Sequence, residues 1–591
     1  MLYEKLAKLY QELSLTTKRL KKIEILSEFL QNLPDSDRDV MYLLEGDIYP
    51  EYDERKIGVS NQLAIKAIAR ATGTDPKKVL NDWRKIGDLG KVAEELTKTK
   101  KQITLGSQVI TTKKVLENLR KLPELQGAGT VNKKVSLLTE LLTSASSVEA
   151  LYLTRTAIGD LRIGTQESTI REALGKAFFP KEGDEKKIIS QKIQEAINKS
   201  NDLGIVFDSC KKRSLKDLEK INLEVGKPIK AMLAQKAKNI EEGFKAVGKP
   251  CAIEYKYDGF RLIIHKEKEK FALYTRRLEN VTKQFPEVRE FIEKNVKGDS
   301  FILDSEAVGY DKKTKEYSPF QAISQRIRRK HGIEKMQKEL PIEINVFDIL
   351  YYKGKSMLNE PFHKRSEIVR KIIKPQKYRI ICSKQIITDD QEKTEKFYKQ
   401  ALRDNQEGVM MKNLDAKYQP GNRVGHMLKV KPEERDLDLV ITGGEYGTGK
   451  RSGWISSFIL SCRGKKPKEF LEIGKVGTGI KEKSTISQSS ASEKGSERKE
   501  LKNEDVTFDK LNELLKPHII SEKGRTVKIK PKVIVAVTYQ EIQHSPNYNS
   551  GWALRFPRIT ALRVDKPLSE TADLNEVEKD FKNQKRNWAY G

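Results

Sequence analysis

Residues 254–261 read EYKYDGFR, and the fold of the chain around them turns on how this octapeptide is read. As a strand, it sets Glu254, Lys256 and Asp258 on one face and Ile253, Tyr255 and Tyr257 on the other. One face then packs a core while the other presents a carboxylate, an amine and a carboxylate in a row. The plainer reading is an amphipathic strand entering a hairpin at Asp258-Gly259, with its charges in water. The sharper reading makes Lys256 a nucleophile.

Working outward, short alternating runs broken by turns surround the octapeptide: CAIEYKYDGFRLIIHK, KFALYTRR, FILDSEAVGYD, IEINVFDILYY, EGVMMK and HMLKVK. They predict a mixed α/β domain on antiparallel strands over 226–432. On its N-terminal side, 1–225 has helical spacing, as in VEALYLTRTAIGDL and ESTIREALGKAF, with Asp75-Pro76 as a helix start. The first thirty residues read as one polar amphipathic helix. No fixed-period repeat stands out, so this part is expected to be a compact all-α domain. Strands resume over 433–591, with VIVAVTYQEI and ALRFPRITALRV the clearest, and a small β-barrel is expected there. Inside it, 481–505 (KEKSTISQSSASEKGSERKELKNED) is too polar to bury a face and reads as a mobile surface insertion. The last twenty or so residues read as a polar helix.

The 591 residues exceed what one core supports. Lysine and arginine number 113 against 84 acids, a net charge of +29, and this excess is spread along the chain. It implies a long surface for a polyanion, with nucleic acid ahead of an anionic membrane. Charge alone says nothing of catalysis. Cys210, Cys251, Cys382 and Cys462 form no C-x-x-C pair, which argues against a zinc ribbon and a disulfide framework. No stretch approaches a membrane span, so a soluble, intracellular, cytoplasmic protein is expected.

K-x-D-G arises by chance in about one such chain in four, and adding Arg261 lowers that to on the order of one or two per cent. Further segments follow in order: TRRLENVT (275–282), LDSEAVGY (303–310), NVFDILYY (345–352), EGVMMK (407–412) and LKVK (428–431). With KYDGFR, this set resembles the motifs of the covalent nucleotidyltransferases, the superfamily of DNA ligases, RNA ligases and mRNA capping enzymes. LRFPRITALRVDK (554–566) resembles the C-terminal motif of ATP-dependent DNA ligases. DLRIG (160–164), within a large helical region, resembles the DNA-binding domain of the archaeal and eukaryotic replicative type. The resemblance covers nearly the whole chain, and the length points to the archaeal branch.

The resemblance implies an all-α DNA-binding domain, an α+β adenylation domain and an OB-fold barrel. It implies an ATP-dependent enzyme that seals 5′-phosphate/3′-hydroxyl nicks in duplex DNA, in replication, repair and recombination. Lys256 would attack the α-phosphate of ATP and carry AMP as a phosphoramidate. A lysine attacks as the neutral amine, so its surroundings must favour that form. By position, Glu254 recognises adenine, Phe347 stacks on it, and Arg276 and Glu306 lie at the ribose. Arg261, Arg276, Lys429 and Lys431 supply charge to phosphates, and Arg423 is a further ATP-contacting arginine. Glu306 and Glu407 are the candidate Mg²⁺ ligands, and Arg555 and Arg558 orient the pyrophosphate. Asp258 either supports later steps or shapes the turn with Gly259. Taken singly, each acid reads as a surface charge, Phe347 as core and the lysine pair as a solvated strand face. Ser305 stands where the family usually has glycine, and the 481–505 insertion has no family role.

RNA ligases and capping enzymes normally lack the helical domain with DLRIG. NAD-dependent ligases bring a four-cysteine zinc module that this cysteine spacing does not supply. A catalytically dead DNA-binding scaffold would not need the charged surroundings of the lysine. A monomer is expected, and QITL at 102–105 makes a sliding clamp a candidate partner alongside nicked DNA.

Overall fold

The structure is a computed structural model that describes residues 1–99, 109–125, 127, 129–329, 331–432, 435–447, 451, 453–482 and 506–590, the last six by backbone alone. QITL and residues 483–505 lie outside the described residues. The chain divides into two compact units, Met1–Val79 with Leu89–Pro432, and Leu80–Asp88 with Glu433–Gly591.

Among the described residues up to 219, every regular element is helical. The expected single N-terminal helix is in fact two, Tyr3–Leu15 and Arg19–Gln31. The break falls at Thr16, which is extended at φ −120° and ψ 140°, because adjacent threonines lose side-chain freedom in a helix. Asp75-Pro76 does open a helix, Pro76–Ile86. Helix Ser147–Ala157 starts with a capping box between Ser146 and Glu149 and is buried along its length. The DLRIG turn follows it. There Lys22 Nζ donates to the carbonyls of Ile163 at 2.5 Å and Gly164 at 2.9 Å, while Arg162 pairs with Asp160 at 2.5 Å.

Residues 226–232 join this helical region to the sheets. Lys230 pairs with Glu51 at 2.5 Å and Glu167 at 2.7 Å. Asn201 donates to the Pro228 carbonyl, and the Gly226 amide donates to His265 Nδ1. Burial pushes His265 down to about 3, so the ring is neutral and can accept that bond.

Two sheets follow. The first has the order β1-β12-β11-β2-β10, from β1 (Leu233–Lys236), β2 (Cys251–Lys256), β10 (Gln385–Thr388), β11 (Gly408–Asn413) and β12 (Arg423–Val430). The second has the order β4-β3-β5-β7-β8, with β6 on β5 and β9 on β7. Its strands are β3 (Phe260–Glu267), β4 (Lys270–Thr275), β5 (Ser300–Tyr310), β6 (Tyr317–Ser318), β7 (Ile342–Tyr352), β8 (Lys355–Ser356) and β9 (Ile380–Cys382). Ile263, Ile302 and Leu350 from the second sheet meet Met410, Val424 and Met427 from the first in one apolar cluster. Behind the first sheet, Ile253, Tyr255 and Tyr257 pack with Val409, Met411 and Val430. The alternation read from the octapeptide therefore holds.

The second unit is built on one long strand, β13 (Arg435–Tyr446). It pairs with β14 (Ile455–Arg463), β17 (Thr526–Ile529) and β18 (Ile534–Tyr539), and two bulges interrupt its register with β14. Bulges bend a strand and increase its twist. β15 (Phe470–Val476) extends one side; β16 (Ile519–Lys523) pairs with β17, and β21 (Arg558–Leu562) with β18. The Ile559 amide donates to the Thr478 carbonyl just beyond β15, which closes the sheet on itself as in an OB-type barrel. β19 (Glu541–His544) and β20 (Trp552–Arg555) form a hairpin beside it. Lys481 N donates to Val506 O and Phe508 N to Lys481 O, which ties the strand end after β15 to the segment that opens helix Phe508–Leu515. The C-terminal helix is Leu574–Tyr590.

Candidate active site

The octapeptide is not a hairpin. β2 and β3 belong to different sheets, and Tyr257-Asp258-Gly259 carries the chain across from one to the other. Gly259 is needed there, because a Cβ would lie 2.3 Å from the Ala307 carbonyl oxygen. Gln406 Oε1 accepts the Asp258 amide and helps fix the crossing.

Strand register assembles the site around this crossing. In the first sheet Met410 pairs with Glu254 on one side and Lys429 on the other, and Gly408 pairs with Lys256. Same-face residues therefore form rows across β2, β11 and β12. Lys256 Nζ lies 2.6 Å from Glu407 Oε2, and Lys431 Nζ lies 2.5 Å from the same oxygen. Burial alone would raise the Glu407 carboxyl, but the two ammonium groups outweigh it and hold it down at about 2. No carboxylate lies within ion-pair distance of Lys429 among the described residues. Burial and the charges of Lys431, Lys256 and Arg423 bring Lys429 down to about 8. Arg423 is exposed and donates to the Ala234 carbonyl at 3.0 Å.

In the second sheet Arg261 pairs in register with Glu306. Leu262 pairs with Thr275, so exposed Arg276 follows at the same end of the sheet. Arg261 forms a bidentate pair with buried Asp304, and Tyr418 Oη donates to that carboxylate at 2.7 Å. Glu306 has no hydrogen-bond or ion-pair partner among the described residues. The residue is half-buried overall, and burial pushes its carboxyl up to about 7 against the pull of Lys256 and Arg261. Ser305, in the position expected to be glycine, is fully buried and donates to the Leu262 carbonyl at 2.6 Å. That bond satisfies the hydroxyl and explains why serine is accommodated.

Phe347 is half-buried, with Arg261 Cζ and Lys412 Nζ each 4.7 Å from its ring centroid. Glu254 is 2% exposed and pairs with Lys412 at 2.6 Å. Burial raises its carboxyl, with Lys412 opposing. Lys412, Asp304, Tyr418 and Gln385 were not singled out from the sequence. Asp304 and Lys412 fall inside LDSE and EGVMMK, at alternating positions that could have flagged them. Tyr418 and Gln385 carry no local signal.

Among the described residues no group of three metal-ligating side chains forms. Mg²⁺ needs less than that, since it commonly takes one or two carboxylates and completes its shell with water and phosphate. Glu306 and Glu407 lie close enough for their charges to interact, so the donor set fits such an ion. In the second unit, Arg555 pairs with Glu541 at 2.8 Å across β19 and β20, while Arg558 is exposed at the start of β21. No helix among the described residues is long and apolar enough to cross a membrane.

A lysine on the strand that crosses between two sheets, with cations and carboxylates converging on it, belongs to an adenylation fold, and the helical region and closed barrel define a multidomain ligase. Family matches cover the chain in three parts: DNA ligase N terminus at 2–175, ATP dependent DNA ligase domain at 231–431, and ATP dependent DNA ligase C terminal region at 451–566. The DNA ligase of Nanoarchaeum equitans is 41% identical over 585 residues, 99% of each chain. That of Thermococcus fumicolans is 37% identical over 589 residues, again 99% of each. A solved structure named Pmar-Lig_PreS3 superposes with a TM-score of 0.54 over 94% of this chain and 99% of its own, at 17% identity, which supports the fold. The chain belongs to the ATP-dependent DNA ligases.

Proposed function

We propose that this ligase seals 5′-phosphate/3′-hydroxyl nicks in duplex DNA through a lysyl-AMP intermediate. In the first step Lys256 Nζ attacks the α-phosphorus of ATP; a P–N bond forms and the bond to pyrophosphate breaks. In the second, an oxygen of the nick's 5′-phosphate attacks the same phosphorus, and the P–N bond breaks to give AMP-capped DNA. In the third, the 3′-hydroxyl attacks the 5′-phosphate and AMP leaves. The observation that carries this reading is Lys256 at the crossing of the sheets, 2.6 Å from Glu407 and in the row leading to Lys431.

Glu254 and Phe347 take the adenine, and Glu306 and Arg276 the ribose. Lys429, Lys431 and Arg423 take phosphate oxygens, as positioning and charge stabilisation in phosphoryl transfer demand. Arg261 adds charge beside them, its guanidinium held by Asp304 and lying 4.7 Å from the Phe347 ring centroid. Glu407 is a counter-ion to two lysines and too weak a base to take a proton at neutral pH. Mg²⁺ held by Glu306 and Glu407 would supply further positive charge to the phosphates. Arg555 and Arg558 orient the pyrophosphate when the barrel closes over the nucleotide. Contacts to DNA run mainly to its backbone, because sealing must be indifferent to sequence. The protein acts as a monomer in replication, repair and recombination, and a sliding clamp is a candidate partner on the QITL motif alone.

The test compares the intact protein with Lys256→Ala on an ordinary nick and on a nick already carrying AMP. Loss of sealing on the first with retention on the second supports the reading. Equal sealing of the ordinary nick by both proteins refutes it.

A further inference from the structure

We propose that Gln385 is a positioning residue that locks the Glu254 carboxylate as a pure hydrogen-bond acceptor, so that the pocket selects purine nucleotides bearing a 6-amino group. The inference rests on the reading that Glu254 faces the base, and it names a residue that no motif of the chain contains.

β10 is the edge strand beside β2, and Gln385 stands directly opposite Glu254 in the ladder. Side chains opposite each other in an antiparallel pair share a face. Gln385 Nε2 donates to Glu254 Oε1 at 2.8 Å, and Lys412 donates to Oε2 at 2.6 Å. Each carboxylate oxygen thus has one donor of its own. The two donors are not equivalent. An ammonium on a flexible stem attracts a carboxylate from many directions, whereas a planar amide fixes its rotation. Gln385 is itself anchored, since the same Nε2 lies 3.3 Å from Ser366 Oγ on helix Phe362–Ile372. Ser366 is almost fully buried, so the anchor is rigid. Because an ionised carboxylate can only accept, the amide must turn its nitrogen toward Glu254.

The chemical consequence follows from donor and acceptor counting. A neutral carboxylic acid could donate to the 6-oxo group of guanine as readily as it accepts from the 6-amino group of adenine. A carboxylate held by two donors keeps only acceptor lone pairs for the base. A 6-amino group then finds a partner, while a 6-oxo group meets repulsion and leaves the site's buried acceptor unpaired. Removing the amide lets the carboxyl rotate and weakens its hold on the acceptor-only state, without touching the phosphates or the nucleophile.

The experiment measures nucleotide transfer to Lys256 in the full-length protein with ATP, GTP and purine riboside triphosphate, which lacks a 6-substituent. The parent must prefer ATP over purine riboside triphosphate. If it does not, the reading of Glu254 as the base-recognising residue fails before Gln385 is tested. Given that preference, Gln385→Leu and Gln385→Met should raise KM for ATP about tenfold, as for loss of one bond to a charged group. The kcat should stay within about twofold, and kinetics with purine riboside triphosphate should match the parent, which also shows that the variants fold. The preference for ATP over GTP should shrink by about the same tenfold factor. If all three nucleotides weaken together, or if ATP kinetics do not change, the proposal is overturned.

Discussion

Replacing Lys412 by methionine removes the cation from one of the most deeply buried ion pairs of the site, whose side chains are 8% and 3% exposed at 2.6 Å. Methionine keeps much of the volume between Phe347 and Phe362, over both of which the ammonium now sits. Breaking a buried pair from one side costs about 3–5 kcal/mol, because the remaining charge has lost its partner. The carboxyl can escape by taking a proton, and that sets a ceiling. Neutralising an ordinary glutamate of pKa about 4.3 at pH 7 costs about 1.36 × 2.7, or roughly 3.7 kcal/mol. At pH 5 the same step costs about 1 kcal/mol. Burial already raises the Glu254 carboxyl in the parent. An acid raised in the folded state loses stability as pH rises above its unfolded value, so the penalty of the variant must grow from pH 5 to pH 7.

The four tryptophans, Trp83, Trp454, Trp552 and Trp588, all lie outside 226–432, so their fluorescence does not report on this region. A multidomain chain also has no single unfolding free energy. Amide hydrogen exchange of peptides spanning β2 and β11 reads the region directly. At pH 7, exchange in Lys412→Met should be faster by up to about 500-fold, and at pH 5 by about fivefold, after correction for intrinsic rates. Adding Glu254→Gln should restore most of the protection, since an ion pair replaced on both sides is often nearly neutral. Equal acceleration at both pH values would refute the reasoning, because it would show lost packing rather than a stranded charge.

Ser305→Gly converts the position to the residue usual in the family. It removes the bond to the Leu262 carbonyl and a strand Cβ, so β3 and β5 should lose about 1–2 kcal/mol of protection in hydrogen exchange while sealing rates remain at the parent level. Glu306→Gln removes a carboxyl that is raised to about 7 when folded and therefore costs stability above its unfolded value. The variant should exceed the parent in stability by on the order of 1–3 kcal/mol at pH 8, a value reduced because the residue is only half-buried. The difference should nearly vanish at pH 4.5, while adenylation falls. Hydrogen exchange of peptides spanning β5 at both pH values checks the sign, and a variant less protected than the parent at pH 8 would contradict it.

The rows of the site were legible because strand alternation is local. Lys256 and Glu254 share a face by spacing alone, and Ile253, Tyr255 and Tyr257 had to take the core. The crossing of sheets at Asp258-Gly259 was not legible, since a tight hairpin and a crossover use the same turn residues. What separates them is the crowding of Gly259 against Ala307, a contact forty-eight residues away in sequence. Gln385 and Tyr418 were invisible for the same reason. Each acts through a partner more than a hundred residues distant, and nothing in its neighbours announces the pairing. The break at Thr16 was missed in another way: the helical periodicity of the first thirty residues is real, but two threonines suffice to interrupt it.

The charges around Lys256 also show how the site can be both stable and ready for nucleotide. Glu407 is shared by Lys256 and Lys431, while Lys429 has no carboxylate within ion-pair distance among the described residues and is brought down to about 8. The charges of Lys431 and Lys256 work against that of Lys429, a repulsion that a polyanion would relieve. On the proposed reading a triphosphate would relieve that repulsion and compete with Glu407 for both of its partners. Each ammonium that turned to a phosphate would release part of the grip on Glu407, leaving a carboxylate of the kind a hard cation takes. Glu306 follows the same logic. Near 7 its carboxyl is only partly ionised at neutral pH, and a cation held beside it would favour the carboxylate form. On that reading the positive face of the first sheet and the carboxyl of the second would be complementary halves of one site. The crossing at Lys256 is the place where the chain joins the two sheets, so a change on either side of it should be felt by the same nucleotide.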